Sequence, residues 1–339
     1  MDVLSDAVTA LRTGRPVASA LSWTPPFGQR FAAVPGAVGI QVVVRGAAWL
    51  LPDSGAPGVR LGAGDVLLLS DGHGHALADS PTTPLQPCTP AAERAGLDVS
   101  QPTLVVCGAY ELGDLRTHPL LHQVPALVHL SATPSVQRVV ELLLEELRHG
   151  AQPDGIGVTA LLDLLFLHTL RAWFEKAEQP GALGDPTVRA ALEAIHRSPE
   201  APWTVATLAR EGGVSRSALA RRFTTLTGVP PQAYLTWWRL TLAAKLLRES
   251  DAPLRVVARR VGYASEFAFA AAFKRHTGTA PGRFRTTSTT LNPVERRLHK
   301  LAPPVTAAGR APASARSGIA APNRPSEPPS PAAHPESPS

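Results

Sequence analysis

The feature that most constrains this chain is an internal repeat between Thr204 and Phe284. Ser215, Leu219, Phe223, Gly228 and Pro231 recur as Ser265, Phe269, Phe273, Gly278 and Pro281, each pair about fifty residues apart. Self-similarity at one spacing marks a structural unit written twice. Each copy reads as an apolar helix, a tight turn, a Ser, and a second helix whose large apolar residues are four apart. From about Gln232 to Glu249 an uninterrupted helical pattern joins the copies.

The parts of each copy are those of a helix-turn-helix, in which one helix braces a second whose N-terminal residues meet base edges in the major groove. In the first copy Val205, Leu208 and Ala209 brace, Gly212-Gly213 permits the turn, and Ser215 caps the next helix. Leu219 and Phe223 hold that helix from behind, which leaves Arg216, Ser217, Ala220 and Arg221 open. An arginine can bond guanine through two parallel hydrogen bonds. Amides exposed at a helix start suit phosphate oxygens. In the second copy Val256, Val257 and Val261 brace, Gly262-Tyr263-Ala264 turns, Ser265 caps, and Phe269 and Phe273 lock the helix. Its open face is poorer: Glu266, Phe267, Ala268 and Ala270, with Ala271 and Ala272 at the positions of Arg221 and Arg222. This copy is expected to hold phosphates and touch thymine methyls more than to read bases through polar groups. The backbone-contact candidates are Ser215, Arg222, Ser265, Lys274 and Arg275. A spacer of eighteen residues spans about 27 Å, near the ~34 Å of one DNA turn. A helical array for binding another protein is the alternative.

Charge is unevenly placed. Residues 1–184 carry 11 Lys/Arg against 17 Asp/Glu, whereas residues 185–285 carry 16 against 7. A basic segment beside an acidic one fits a polyanion-binding module joined to something else; basic residues that merely solubilise a helical surface would give the same balance.

The first 130 residues have a different period. A short amphipathic helix uses Val3, Leu4, Val8 and Leu11. Short strand-like runs follow, among them 38–44, 47–51, 59–61, 66–70 and 103–110, separated by turn residues, as in a small antiparallel barrel or sandwich. Arg45-Gly46 is a hairpin candidate, and residues 80–102 read as a loop. From Pro134 the period becomes helical. A helix from about Val158 to Lys176 carries a wide apolar stripe, which suits either a partner chain or burial within one chain. No apolar run reaches the ~18 residues of a membrane span. The N-terminus lacks the basic and apolar regions of a secretory signal. Two cysteines, Cys88 and Cys107, make no disulfide framework, so a reduced, cytoplasmic protein is expected. After Arg285 the chain is rich in Pro, Ala and Ser and is expected to be disordered.

The stretch from Trp203 to Phe284 resembles the DNA-binding domain of AraC/XylS-family transcription regulators. The resemblance rests on Val214 to Phe223, Gly228 to Leu235, Arg239, Val261-Gly262-Tyr263, Ser265, Phe269 and Phe273-Lys274-Arg275. It implies two helix-turn-helix units on a linker helix. It places Arg216, Ser217, Ala220 and Arg221 against bases in the first unit, and Glu266, Phe267 and Ala271 in the second. The chain departs from the family at Ala271, where members often carry Arg. Residues 44–50 and 61–68 resemble the cupin-type domain on some members. Catalytic cupins hold a metal through a His-X-His pair, a carboxylate and a further His. Here the strands from Val38 to Leu51 contain no His, and His73 and His75 alone are too few ligands. They remain candidates for effector binding at a barrel mouth.

The expected fold is α+β and multidomain. Residues 1–128 form a cupin-like β-barrel for effector binding or association, and 129–180 a helical connector that dimerises. Residues 185–285 form an all-α DNA-binding domain with two helix-turn-helix units, and 286–339 a disordered tail. No catalytic residues, cofactor or metal are expected. The implied partners are double-stranded DNA, RNA polymerase, an unidentified small-molecule effector and a second copy of the chain, with no membrane. The family usually activates transcription, and repression stays open. A metal-dependent cupin enzyme fused to a DNA-binding domain is the competing reading.

Overall fold

The computed structural model describes residues 2–12, 16–70, 72–88, 100–111, 119–120, 124–149, 152, 155–176 and 181–288. Of the expected tail, everything after residue 288 lies outside the described residues.

The chain opens with helix α1 (Val3–Leu11), capped by Asp2, whose carboxylate accepts from the Leu4 amide at 3.2 Å. Among the described residues ten strands follow: β1 (Val17–Trp23), β2 (Gly28–Phe31), β3 (Ala37–Arg45), β4 (Ala47–Pro52), β5 (Val59–Gly62), β6 (Asp65–Leu69), β7 (His75–Ala78), β8 (Gln86–Pro87), β9 (Thr103–Glu111) and β10 (Leu127–Ser131). They build two five-stranded sheets, ordered β1-β9-β3-β6-β10 and β5-β4-β7-β2-β8. Among the described residues no strand pairing joins the sheets, so the expected closed barrel is replaced by two separate sheets.

Arg45-Gly46 is not a hairpin. β3 and β4 belong to different sheets, and Gly46, at φ 78°, turns the corner between them. A side chain there would place its Cβ 2.5 Å from the Pro102 carbonyl oxygen, so glycine is required by space as well as by backbone angle. The hairpin lies one strand later, where β4 and β5 pair with Leu50 opposite Val59. Within the stretch expected to be loop, β8 pairs in parallel with β2.

The first sheet is buried on both faces. Val43, Leu67 and Val105 meet Leu50, Leu61 and Leu77 of the second sheet. Ile40, Val42, Leu68, Val106 and Tyr110 point the other way, against helices α2 (Pro134–Arg148) and α3 (Ile156–Lys176). Each fully buried aliphatic side chain contributes about 1.5–3 kcal/mol. Helix α3 is long and apolar enough to cross a membrane by length and composition. Its Leu162, Leu165, Phe166 and Leu170 are buried in the core that α3 shares with the sheet, α1 and α2. Asp163 on it pairs with Arg12 at 2.5 Å, and Arg171 pairs with Asp2. The wide stripe is therefore largely consumed within the chain, although Leu164 stays 44% exposed.

Among the described residues seven helices follow: α4 (Pro186–Arg197), α5 (Val205–Glu211), α6 (Arg216–Thr227), α7 (Pro231–Glu249), α8 (Leu254–Arg260), α9 (Glu266–Thr277) and α10 (Pro281–Ser288). They form two cores. The first joins Leu192, Ile195, Leu208, Leu219, Phe223 and Tyr234, and draws in Val3 and Ala10 of α1. The second joins Leu247, Val257, Val261, Phe269 and Phe273, with Phe284 edge-on to Phe273 at 5.2 Å. Helix α1 thus touches both halves of the molecule, because its Leu4 and Val8 belong to the core of the first sheet.

Candidate nucleic-acid interface

The repeat seen in the sequence is a repeat of backbone. Helix α6 begins where Ser215 Oγ accepts from the Ala218 amide at 3.2 Å, and α9 where Ser265 Oγ accepts from Ala268 at 3.4 Å. Both helices end at a left-handed glycine, Gly228 at φ 75° and Gly278 at φ 74°. The turns before them also match. Val214 donates to Ala209 and Tyr263 to Ala258 across left-handed Gly213 and Gly262. A further pair was not singled out from the sequence. The Thr227 hydroxyl lies 2.8 Å from the Phe223 carbonyl and 2.9 Å from that of Val229. The Thr277 hydroxyl lies 2.9 Å from the carbonyls of both Phe273 and Thr279. The signal was available as Thr-Gly-X-X-Pro, which occurs after both helices.

Burial sorts the two faces of each helix. Leu219 and Phe223 are buried on α6, and Phe269 and Phe273 on α9. Opposite them on α6, Arg216, Ser217 and Arg221 are exposed and Ala220 is half-buried. Arg222 is exposed too, with its guanidinium 3.4 Å from the Thr187 hydroxyl. On α9, Glu266, Ala271, Lys274 and Arg275 are exposed, and Phe267 is 88% exposed. A large aromatic side chain standing in water at the first turn of a helix gains nothing for folding. The caps Ser215 and Ser265 are exposed as well.

Helix α7 has nineteen residues, about 28 Å at 1.5 Å per residue. Its Arg239 was quoted above only as part of a resemblance, and the structure gives it a mechanical task. Nε donates to the Pro199 carbonyl at 2.6 Å and Nη2 to that of Ala201 at 2.8 Å. Its guanidinium also packs on the turn of the second copy, where a Cβ on Gly262 would meet Nη2 at 2.7 Å. One side chain therefore touches the loop before the first copy and the turn inside the second.

The first copy is also tied to α1. The His196 ring on α4 is buried, stacked on Trp238 at 3.9 Å, with Nε2 2.8 Å from the Tyr234 hydroxyl and Nδ1 3.4 Å from Asp6. Burial lowers its pKa, and the Asp6 carboxylate opposes that only in part.

A second candidate site lies between the sheets, a cavity of about 130 Å³ walled by Val17, Phe31, Val38 and Leu69. Ser19, Gln41, His73, His75 and Cys107 are its polar lining groups, so both histidines named from the sequence line it. They are not equivalent, because β7 starts at His75. His73 precedes the strand and is exposed, whereas His75 is buried and stacked on Phe31 at 4.9 Å. Burial pushes the His75 pKa down to about 4, opposed in part by the His73 backbone and Asp53. Among the described residues no group of three or more His, Cys, Asp or Glu is placed to hold a metal ion.

Residues 2–175 match the cupin family and residues 208–287 a helix-turn-helix domain. An AraC-like transcription regulator of Streptomyces lividans is 35% identical over 301 residues, covering 84% of this chain and 98% of that one. The transcriptional regulator AlkR of Acinetobacter baylyi is 32% identical over 244 residues, covering 66% and 79%. Among solved structures, ToxT of Vibrio cholerae aligns over 82% of this chain and all of its own, at 12% identity and a TM-score of 0.35. With a cupin region at one end and a helix-turn-helix region at the other, this chain belongs to the AraC-like transcription regulators and is a DNA-binding regulator of transcription.

Proposed function

We propose that residues 185–285 grip DNA through two helix-turn-helix units of unequal character, α5–α6 and α8–α9. In the first, Arg216, Ser217, Ala220 and Arg221 face base edges, with the two arginines supplying polar readout. In the second, Glu266, Phe267 and Ala271 face the groove, and Phe267 meets thymine methyls. Ser215, Arg222, Ser265, Lys274 and Arg275 hold the phosphates. The observation that carries this reading is the pairing of two like-built helices with different exposed faces, one presenting Arg216 and Arg221 and the other Glu266, Phe267 and Ala271. The α7 spacer, with Arg239 between the copies, keeps them at a separation near one DNA turn.

Residues 1–176 sense a small molecule in the inter-sheet cavity, where His73 and His75 sit. The effector shifts the population between two placements of the DNA-binding region, through α1. The protein works in the cytoplasm as a homodimer, meets RNA polymerase at the promoter, and performs no catalysis. A mobility shift with genomic fragments tests the DNA reading. Affinity should fall steeply as salt rises, because phosphate contacts release counterions. Binding that is absent, or indifferent to salt, contradicts it.

A further inference from the structure

The cavity between the two sheets carries information about what fits it. Among the described residues, none that lines it is Asp, Glu, Lys or Arg. Beside it, Arg30 pairs with Asp53 at 3.1 Å. An ionised ligand would therefore lose its hydration with no counter-charge to receive it, at a cost no tight complex tolerates.

Two of its polar side chains are deeply buried. Gln41 and His75 are each more than nine-tenths buried. Gln41 Oε1 has no hydrogen-bond partner among the described residues, and the His75 ring makes only a poorly directed contact with the His73 backbone. Buried polar groups of this kind call for an explanation. A neutral imidazole presents one donor and one acceptor, and an amide oxygen is an acceptor. A hydroxyl, which both donates and accepts, is the smallest group that answers either of them. At about 130 Å³ the volume is close to the ~150 Å³ of a cavity that admits benzene. One ring, or its aliphatic equivalent, fills it.

We propose that this cavity binds a small uncharged molecule of one-ring size, whose apolar body fills the walls and whose hydroxyl engages Gln41 and His75. The inference rests on the reading of residues 1–176 as the sensing region and names the ligand class of that site. The strap over the cavity supports a built site. Gly72 stands at φ 66°, its carbonyl accepts from the Val34 amide at 2.9 Å, and a Cβ there would lie 2.0 Å from the Val34 carbonyl oxygen. The loop from Phe31 to Ala37 is thereby pinned across one wall. The neutral state of His75, set by burial, agrees with an uncharged ligand.

The test is calorimetric titration of the full chain with phenol, toluene and benzoate. Phenol should bind with saturable heat, toluene roughly five- to tenfold more weakly for want of the hydroxyl, and benzoate not at all. Gln41→Leu should weaken phenol to the level of toluene and leave toluene unchanged. His75→Phe should do the same. Since each variant removes a poorly partnered buried polar group, neither should lower the melting temperature of the ligand-free protein. Benzoate binding as well as phenol, or a Gln41→Leu variant that binds phenol normally, overturns the proposal. So does silence towards phenol in protein that still binds DNA. A fluorescence-anisotropy titration of DNA with and without phenol separates the two claims. If phenol binds as expected and DNA affinity does not move, the ligand class stands and the sensing role falls.

Discussion

The two copies in the C-terminal region share caps, turns and locking residues, yet they differ in what surrounds them. The core of the first copy extends through α4 to Val3 and Ala10 of α1, and so to the N-terminal half. The second copy is closed by α7, α8, α9 and α10 alone. The exposed faces differ in the same direction. The first copy offers Arg216 and Arg221, and the second Phe267 and Ala271. On the proposed reading, the duplicated frame is divided into a reader tied through α1 to the N-terminal half and an anchor whose core does not include α1. Backbone parts repeat because the turn and the caps are geometric necessities. Faces diverge because nothing in the fold depends on them.

The largest effects should come from the locking residues. Phe223→Ala and Phe273→Ala each empty a fully buried site and should cost about 3–5 kcal/mol. Hydrogen exchange should separate them. Phe273→Ala should loosen α8 to α10 only, whereas Phe223→Ala should also loosen α1 and α4. Equal spread from both variants would break the distinction between a wired copy and an isolated one.

A smaller effect should follow acidification. Burial lowers the folded-state pKa of His196 below its ordinary 6.5. The unfolded chain then binds more protons over the intervening range, so stability is complete above about pH 6.5 and declines as pH falls below it. Burial also lowers the pKa of His276 on α9, but that residue is exposed, whereas His196 is buried and joins α4 to α1 and α7. Amide protection in the first copy should therefore fall with acid more than in the second. His196→Gln should flatten that difference. A second copy that loosens first would reverse the assignment.

Much of this was legible in the sequence, for identifiable reasons. The repeat was visible because Ser, Phe and Gly mark caps, locks and helix ends through local chemistry. The exposed Arg face followed from helical spacing. Arg45-Gly46 misled because a glycine at a corner between sheets and a glycine in a hairpin look alike in one dimension. The barrel failed to close because closure depends on pairing between distant strands, which no local signal encodes. The docking of α1 on α4 and α7, and the hold of Arg239 on two loops, are long-range for the same reason. His73 and His75 both line one cavity, and only the structure separates the exposed ring from the buried one. Gln41, hidden inside an apolar strand, faces the same cavity as a buried polar group.

The most direct measurement is base preference, position by position, in DNA selected by the intact chain and by Arg221→Ala and Phe267→Ala. The account predicts that the half-site under the first copy carries the stronger preference. Arg221→Ala should flatten it and cost about 1–3 kcal/mol on the selected site, with less loss on random DNA. Phe267→Ala should act only on thymine positions of the other half-site. Equal preference in both half-sites, or an Arg221→Ala variant that loses specific and random DNA alike, would contradict the division into reader and anchor.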